Sequence, residues 1–323
     1  MPLRIVFCGT PAFAVPALRP LIAQPDFEIA GVITQPDRPR GRGGEISVSP
    51  VKKVALEAGV PVYQPERIKE EAAQEYFRSV APDVVVIIAY GQIIPARLIA
   101  LPRLGWINLH GSLLPKYRGA APLHWAIANG EARTGLTTMQ INAGLDTGPM
   151  LLKYETEIAA DETSPELYAR LAEAGAPLMV ETLRGIAGGA LVPVPQDDSQ
   201  KTFAPPLKKE DGRIDWSRRA AEIYNRMRGF QPWPGAFTTF RGKTCQVWGK
   251  PAAEAAATAP IPATSDAPAA PGTLSVKNGE VWVAAGHGTS LKLETVQMEG
   301  RKKVAAREFA NGARLAPGEK FGD

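Results

Sequence analysis

The sequence predicts an α/β protein in which a doubly wound, mostly parallel sheet is followed by a small C-terminal β-barrel. In the first half, short β-branched runs alternate with amphipathic stretches, which is the order of a Rossmann-like sheet with right-handed crossovers. The run Val84–Ala89 is apolar without alternation, as expected of a strand that is covered on both faces. Beyond residue 207, short strands at close spacing favour a barrel of the OB-like type.

The elements of the first half alternate between strand and helix. Buried strands are predicted at Arg4–Cys8, Glu28–Thr34, Val84–Ala89 and Trp106–His110, and the helices between them at Ala12–Ala23, Pro50–Ala58 and Ile68–Ser79. Pro50 suits a helix start, because its φ is already helical and its missing N–H would have no partner there. Two adjacent strands near the sheet edge and a long helix are predicted at Thr134–Ile141, Met150–Thr156 and Ser164–Ile186.

The composition changes after Gly185, where two glycines and four prolines before residue 207 indicate a surface linker. The predicted domains are residues 1–189 and 208–323, with the linker at 190–207. In the second domain the expected elements are a helix at Ser217–Gly229 and strands at Phe237–Phe240, Lys243–Lys250, Gly272–Lys277, Glu280–Ala285 and Ser290–Gln297. The Ala- and Pro-rich stretch Ala252–Pro271 is interpreted as a mobile loop without a chemical role.

Composition excludes several classes of protein. Of the 323 residues, 45% are apolar and 22% are charged, which is ordinary globular composition. No apolar run approaches the roughly 20 residues that span a bilayer, and the N-terminus lacks the pattern of a signal peptide, so a cytoplasmic protein without membrane association is expected. The two cysteines form no disulfide framework. The three histidines lack zinc-type spacing, so no protein-bound metal is expected.

The net charge of +4 is unevenly distributed along the chain. Residues 207–323 carry an excess of Lys and Arg, whereas residues 1–206 are nearly neutral. This distribution suggests a polyanionic partner that binds mainly from one side. A merely basic surface explains the same distribution equally well.

Polar residues concentrate at the end of the strand Trp106–His110 rather than in the turn after the first strand. That first turn has a single glycine, Gly9, followed by Pro11, which does not match the three glycines of a dinucleotide-binding turn. Asn108 and His110 are two residues apart and therefore share one side of their strand. An amide that donates to an oxyanion and an imidazole that moves a proton suit acyl chemistry. Taken alone, His110 fits a hydrogen-bonded structural histidine better.

A second polar cluster lies in the glycine-flanked loop Asn142–Pro149, which contains the carboxylate of Asp146. A carboxylate beside an imidazole orients the ring and supports its charged form. The simpler interpretation of Asp146 is that it stabilises its own turn. Because a G-x-S-x-G nucleophile elbow is absent, the pattern favours direct transfer between two bound substrates.

The segments INLHGSLLPKYRGAAP (Ile107–Pro122) and GLDTGPM (Gly144–Met150) closely resemble the formyltransferases that use 10-formyltetrahydrofolate as co-substrate. The resemblance covers roughly the first 190 residues and implies that Asn108, His110 and Asp146 are the catalytic set. It also implies that the folate is bound by Ser112, Leu113, Leu114, Pro115, Tyr90, Gly91, Gln92, Ile93 and Ile94.

Within that family, TQPDRPRGRG (Thr34–Gly43) resembles the tRNA-contacting loop of the members that act on methionyl-tRNA. Asp215–Ser217 and Phe230–Ala236 resemble the start of their OB-type C-terminal domain, so that the resemblance spans nearly the whole chain. It implies formylation of initiator methionyl-tRNA for translation initiation. The residues expected to contact the tRNA are Arg38, Arg40, Arg42, Lys208, Lys209, Arg213, Arg301, Lys302 and Lys303.

Two alternative functions stay open. A formyltransferase that acts on a sugar nucleotide or a small amine would use the same catalytic set without needing the arginine loop. An RNA-binding protein with a vestigial transferase site would bind tRNA without transferring a formyl group. Within the transferase mechanism, either His110 or a water held by Asp146 moves the proton. A monomer is expected.

Overall fold

The structure is a computed structural model that describes residues 1–40, 45–252 and 269–322. The chain forms two compact units, of which the first comprises residues 1–122, 133–157 and 166–205, and the second residues 123–132, 158–165 and 206–323. These units differ from the predicted domains, 1–189 and 208–323, because residues that pack together are not always consecutive in sequence. The observed division assigns two short N-terminal segments to the second unit, and residues 190–205, which were predicted as linker, to the first.

The first unit is built on a seven-stranded sheet. Its strands are β1 (Leu3–Gly9), β2 (Phe27–Ile33), β5 (Val62–Tyr63), β6 (Val84–Ile88), β7 (Trp106–His110), β8 (Arg133–Gln140) and β9 (Met150–Glu157), with β3 (Arg38–Arg40) and β4 (Glu45–Ser47) as a separate hairpin. The sheet order is β5-β2-β1-β6-β7-β8-β9. The first five strands run parallel, β8 pairs antiparallel with β7, and the edge strand β9 pairs antiparallel with β8. The predicted doubly wound, mostly parallel sheet is therefore confirmed.

Helices lie between and after these strands in the sequence. They are α1 (Val15–Ala23), α2 (Pro50–Glu57), α3 (Glu71–Val80), α4 (Ala96–Ile99), α5 (Pro122–Ala128) and α6 (Ser164–Ala187). All five residues of β6 are buried, which explains why this strand shows no polar alternation. The Ser49 hydroxyl caps α2 by accepting the Lys52 backbone N–H at 3.0 Å, and Pro50 occupies the first turn. In the described part of the chain, no helix has both the length and the apolarity needed to cross a bilayer.

The second unit contains an antiparallel sheet. Its elements are α7 (Ala220–Gly229), β10 (Phe237–Phe240), β11 (Lys243–Pro251), β12 (Leu274–Lys277), β13 (Glu280–Ala284), β14 (Ser290–Met298), β15 (Val304–Ala305) and α8 (Ala306–Ala313). The sheet order is β10-β11-β14-β13-β12, and β15 pairs with β14. Alternate residues of β11, among them Cys245 and Val247, face a core that also includes Ile223 and Phe309 of the helices.

This sheet corrects the predicted barrel. Among the described residues, β10 and β12 lie at opposite ends of the strand order and do not pair with each other, so that no closed barrel forms. The C-terminal segment lies at both ends of this gap. The Gly322 N–H donates to the Thr239 carbonyl of β10 at 2.9 Å, and the Leu274 N–H of β12 donates to the Glu319 carbonyl at 2.8 Å. The C-terminal segment also donates the Phe321 N–H to the Gly272 carbonyl at 2.9 Å, so it makes a few backbone hydrogen bonds where a barrel would have a strand pair.

Two sequence-based predictions fall outside the described residues. Arg42 lies in the segment 41–44, and most of the Ala/Pro-rich stretch Ala252–Pro271 lies in the segment 253–268.

The packing of α1 generates a stability prediction. Leu18 is fully buried, whereas Leu56 on α2 is 58% exposed. We expect Leu18→Ala to cost about 2–5 kcal/mol, because a buried cavity replaces the side chain. The midpoint of thermal unfolding should fall by at least about 4 °C in a domain of this size. Leu56→Ala is the matched control and should leave the midpoint nearly unchanged. Equal shifts in the two variants would contradict the assigned packing.

Candidate active site at the ends of the central strands

The candidate site lies where the central parallel strands end. Gly9 of β1 pairs with Ile88 of β6, and Ile87 pairs with Asn108 of β7, so the carboxyl ends of these three strands are adjacent. Open α/β sheets bind ligands at this edge. The Thr10 hydroxyl, in the loop after β1, donates to the Tyr90 carbonyl after β6 at 3.2 Å, which ties two of these loops together.

His110, the last residue of β7, is only 5% exposed and has a partner near each ring nitrogen. Its Nε2 lies 2.9 Å from the Tyr117 carbonyl oxygen, and its Nδ1 lies 3.7 Å from Asp146 Oδ2. A carbonyl only accepts hydrogen bonds, so Nε2 must carry a proton in that contact. In the neutral ring, Nδ1 is therefore the nitrogen with a free lone pair, and it faces the carboxylate.

Asp146 adopts a left-handed backbone conformation with φ +50°. Its side chain is 17% exposed, and its Oδ2 accepts the Gly119 backbone N–H at 2.8 Å. The alternative role, stabilisation of its own turn, belongs to Asn142, whose Oδ1 accepts from the Gly144 N–H at 3.0 Å and from the Thr147 hydroxyl at 2.7 Å. The Asp146 carboxylate is thus directed across to another loop and to His110.

Asn108 completes this set. It is half-buried on β7, two residues before His110. Across the residues that the structure describes, its side-chain amide takes part in no hydrogen bond. A half-buried amide without a protein partner can donate to a bound group. The structure thus brings His110 and Asp146 within ion-pair distance and places Asn108 on the same strand as His110.

The predicted folate-binding residues divide into two groups by burial. Ser112, Leu114 and Pro115 are buried, and the Ser112 hydroxyl donates to the Lys116 carbonyl at 2.6 Å, so these side chains shape the turn after β7. Leu113 is half-buried, which leaves part of its side chain accessible. Lys153 Nζ donates to the Leu114 carbonyl at 2.7 Å and holds the same turn from β9.

In the loop after β6, some side chains are hydrogen-bonded or buried within the protein and others are accessible to a ligand. The Gln92 side chain accepts from the Ile68 N–H at 2.7 Å and donates to the Glu66 carbonyl at 3.2 Å, so it stabilises the loop itself. Tyr90 and Ile94 are buried, and burial raises the pKa of the Tyr90 phenol well above its usual range, which keeps it neutral. Ile93 is 92% exposed, so its apolar side chain is accessible to a ligand. Gly91, with φ +90°, lets the backbone turn beside it.

The residues expected to bind tRNA are exposed wherever their side chains are described. Arg38 lies on the β3–β4 hairpin and forms a long ion pair, 3.5 Å, with Glu66. In the second unit, Lys303 Nζ lies 3.6 Å from the centre of the Trp248 ring. The remaining described members of the set, exposed and with no ion pair to a described residue, are Lys208, Lys209, Arg213, Arg301 and Lys302. Nothing is described of the Arg40 side chain.

The sequence did not indicate one set of contacts around the site. Residues 196–204, predicted as surface linker, form hydrogen bonds with the turn after β7 and with the loop that contains Asp146. The backbone of Arg118 exchanges hydrogen bonds with Thr202 and Ala204 at 2.9 and 2.7 Å, and the Gln196 side chain donates to the Asp146 loop. Gly119 has φ +125°, and a Cβ there would meet the Ala204 carbonyl at 2.5 Å. Within the described ranges, no group of His, Cys, Asp and Glu is placed to hold a metal ion.

Known proteins and family models match this chain along most of its length. The family model "Formyl transferase" matches residues 3–183, and "Formyl transferase, C-terminal domain" matches residues 206–314. The methionyl-tRNA formyltransferase of Solibacter usitatus is 53% identical over 99% of both chains, and that of Koribacter versatilis is 51% identical over 98% of both. A crystal structure of an N-formyltransferase from Helicobacter canadensis, in complex with folinic acid and dTDP-3-aminofucose, is 15% identical. It aligns with a TM-score of 0.63 over 92% of this chain and 99% of that one, which shows a shared fold.

The contacts of His110 generate a prediction that is independent of any activity. We expect the neutral ring to carry its proton on Nε2, because the Tyr117 carbonyl accepts it there. Long-range ¹H–¹⁵N correlation spectra of the imidazole groups distinguish the two tautomers. His287, exposed in a turn of the second unit, serves as an internal comparison. A neutral His110 with its proton on Nδ1 would contradict the geometry.

Proposed function

The chain belongs to the formyl transferase family, and we propose that it transfers the formyl group of 10-formyltetrahydrofolate to the α-amino group of methionyl-tRNA. The observation that carries the proposal is the identity of 53% to a methionyl-tRNA formyltransferase over 99% of both chains, so the match includes the second unit as well as the catalytic one. The product, N-formylmethionyl-tRNA, is used in translation initiation, and we propose the cytoplasm as the place of action and a monomer as the active form. The sugar-nucleotide and small-amine alternative is not favoured, because the structures that bear such names share only the fold.

The chemistry requires an acyl carbon that can be attacked by an amine. Bound 10-formyltetrahydrofolate supplies this carbon on its N10 nitrogen. The exposed apolar Ile93 and the open backbone at Gly91 suit a flat, partly apolar ring with polar edges, and we propose that they and the turn Ser112–Pro115 hold the folate. Since Ser112, Leu114 and Pro115 are buried, the half-buried Leu113 supplies the accessible side chain of this turn.

We assign to Asn108 the stabilisation of negative charge on the formyl oxygen. When the amine nitrogen bonds to the formyl carbon, the carbonyl electron pair moves onto the oxygen, and a donor placed there lowers the barrier. The Asn108 amide has no competing partner among the described residues, and its backbone is fixed by the pairing of β7 with β6 and β8. The bond to N10 then breaks and the carbonyl reforms.

The proton lost by the attacking amine has to reach the leaving nitrogen. We assign its transfer to His110 Nδ1, since Nε2 is engaged by the Tyr117 carbonyl. Asp146, 3.7 Å from Nδ1, supports the ring when it carries the extra proton and orients it. The alternative carrier of this proton is a water held by the Asp146 carboxylate.

We propose that the second unit holds the tRNA through phosphate contacts. The exposed cations of this unit lie outside its strands, in the segment before α7 and in the segment between β14 and β15, and they are Lys208, Lys209, Arg213, Arg301, Lys302 and Lys303. The hairpin β3–β4 adds Arg38, and the adjoining Arg40 and Arg42 extend the same basic segment. Lys and Arg contacts to phosphates position an RNA without reading its bases. Selection of the initiator tRNA is proposed to follow from contacts beyond this set.

The proposal predicts the effect of removing the oxyanion donor. Asn108→Ala should lower kcat on the order of 100- to 1000-fold, as the loss of one oxyanion donor does in other acyl-transfer enzymes. The assay follows label from formyl-folate into the aminoacyl ester of methionyl-tRNA. Asn311→Ala, on the exposed face of α8, is the control and should retain wild-type turnover. Near-wild-type turnover of Asn108→Ala would remove Asn108 from the mechanism.

The proposed phosphate contacts predict a change in salt dependence. Lys302→Ala should reduce the slope of log Kd for tRNA against log salt concentration by roughly 0.7–0.9, the value for one lost phosphate contact. The control is Arg78→Ala, which removes the same charge from the exposed end of α3. Equal slopes for Lys302→Ala and wild-type protein would show that Lys302 makes no phosphate contact.

A further inference from the structure

We propose that Gln196, fixed in place by the buried Arg118, is a positioning residue that holds Asp146 in its working conformation. This inference rests on the proposed function, because it assigns Gln196 a part in formyl transfer. Gln196 lies in the segment predicted as a linker, 50 residues beyond Asp146 in sequence, and it does not belong to the catalytic set. Its contacts nevertheless converge on the Asp146 loop.

The Gln196 side-chain amide uses its donors and its acceptor in four contacts. Its Nε2 donates to the Asp146 carbonyl at 2.7 Å and to the Gly148 carbonyl at 2.8 Å. Its Oε1 accepts from Arg118 Nε at 3.0 Å and from Arg118 Nη2 at 2.7 Å. The amide therefore bridges a guanidinium on one side and two backbone carbonyls on the other.

These partners permit a single orientation of the amide. If the amide were rotated by half a turn, its oxygen would face two carbonyl oxygens and its NH₂ would face a guanidinium that only donates. Both contacts would be repulsive. Arg118 thus fixes the Gln196 oxygen, and this leaves the neutral NH₂ group of Gln196 to donate to the two carbonyls of the Asp146 loop.

Arg118 itself is fixed firmly enough to serve as an anchor. It is 2% exposed, and its Nη2 also donates to Asp198 Oδ1 at 2.8 Å. Its backbone N–H donates to the Thr202 carbonyl at 2.9 Å, and its carbonyl accepts from the Ala204 N–H at 2.7 Å. The segment 196–204 and the turn at Arg118 therefore hold each other in register, and Gln196 cannot shift without breaking several hydrogen bonds.

The contact matters because Asp146 occupies a backbone conformation that an Asp adopts at a cost. A non-glycine residue at φ +50° persists where its surroundings over-determine it. Here Gln196 holds the Asp146 carbonyl, and the Gly119 N–H holds the Asp146 carboxylate at 2.8 Å. Without the Gln196 donors the loop loses its hold on the backbone side, and the carboxylate moves relative to His110.

The test replaces the two donors and keeps the shape. Gln196→Glu puts an oxygen where the NH₂ group faced the two carbonyls, while the new carboxylate still pairs with Arg118. We expect kcat for methionyl-tRNA formylation to fall about 10- to 100-fold, because a displacement of about 1 Å at a catalytic group has an effect of this size. The KM values for folate and tRNA should stay within about twofold, since ground-state binding does not use this contact. An unchanged kcat would overturn the proposal.

A matched control and a second variant separate positioning from damage to the fold. Gln200→Glu makes the same charge change on the same segment, at an exposed side chain that contacts Asp197, and should leave kcat within about twofold of wild type. If Gln196→Glu fails to fold, Gln196→Met takes its place, because it removes the donors without adding charge, and the same fall in kcat is expected.

A double-mutant cycle asks whether Gln196 acts through Asp146. In an Asp146→Asn background, Gln196→Glu should lower kcat by less than about threefold, because residues that act as one unit are strongly non-additive. A residue that merely supports the fold would reduce kcat by the same factor in both backgrounds, and that result would refute the positioning role.

The two proposals fail in different ways. A folded wild-type protein that transfers no formyl group to methionyl-tRNA would refute the proposed function. Hydrogen–deuterium exchange of residues 142–148 then still tests the contact. Gln196→Glu should speed exchange in this loop and Gln200→Glu should not. Equal exchange in the two variants would overturn the role of Gln196 whatever the reaction is.

Discussion

The geometry of the candidate site depends on one backbone conformation, the left-handed turn at Asp146. This conformation decides where the carboxylate lies, and therefore whether His110 has a charged partner at 3.7 Å. Asp adopts the left-handed region more readily than most non-glycine residues, but still at a cost. Contacts from Gly119 and Gln196, which are distant in sequence, maintain it. Strain that is held from outside in this way is typical of functional sites.

The loops around His110 give its two ring nitrogens different partners. A ring on the last residue of a strand would be free to rotate if only solvent lay beyond it. Here the turn after β7 returns so that the Tyr117 carbonyl faces Nε2, and the Asp146 loop faces Nδ1. One nitrogen is thereby fixed by a neutral acceptor, and the other faces a carboxylate. Burial of the ring to 5% exposure strengthens both contacts, because less water competes for them.

The sequence predicted those features that a local pattern encodes. The apolar run of β6 and the two-residue spacing of Asn108 and His110 were sufficient to locate the sheet and one half of the site. The short strands β3 to β5 escaped prediction, because two or three residues cannot show a period. Gln196 escaped it for a different reason. Proline-rich surroundings indicated a solvent-exposed linker, and nothing in the sequence shows that an amide will meet Asp146. The barrel was predicted from strand spacing, which does not determine whether the first and last strands pair.

Not every Lys and Arg of the second unit is available to a polyanion, because some of these side chains are buried. Arg228 is buried, and its guanidinium donates to the carbonyls of Ala159 and Glu162 at 3.2 and 2.9 Å, so its charge stabilises a loop. Arg226 lies over the rings of Trp125 and Phe230 and is half-buried. Burial lowers the pKa of both guanidiniums, although each stays protonated in the physiological range. These two arginines cannot reach a phosphate without giving up their present contacts. The charge available to a polyanion therefore comes from exposed cations such as Lys302, which forms no ion pair with a described residue.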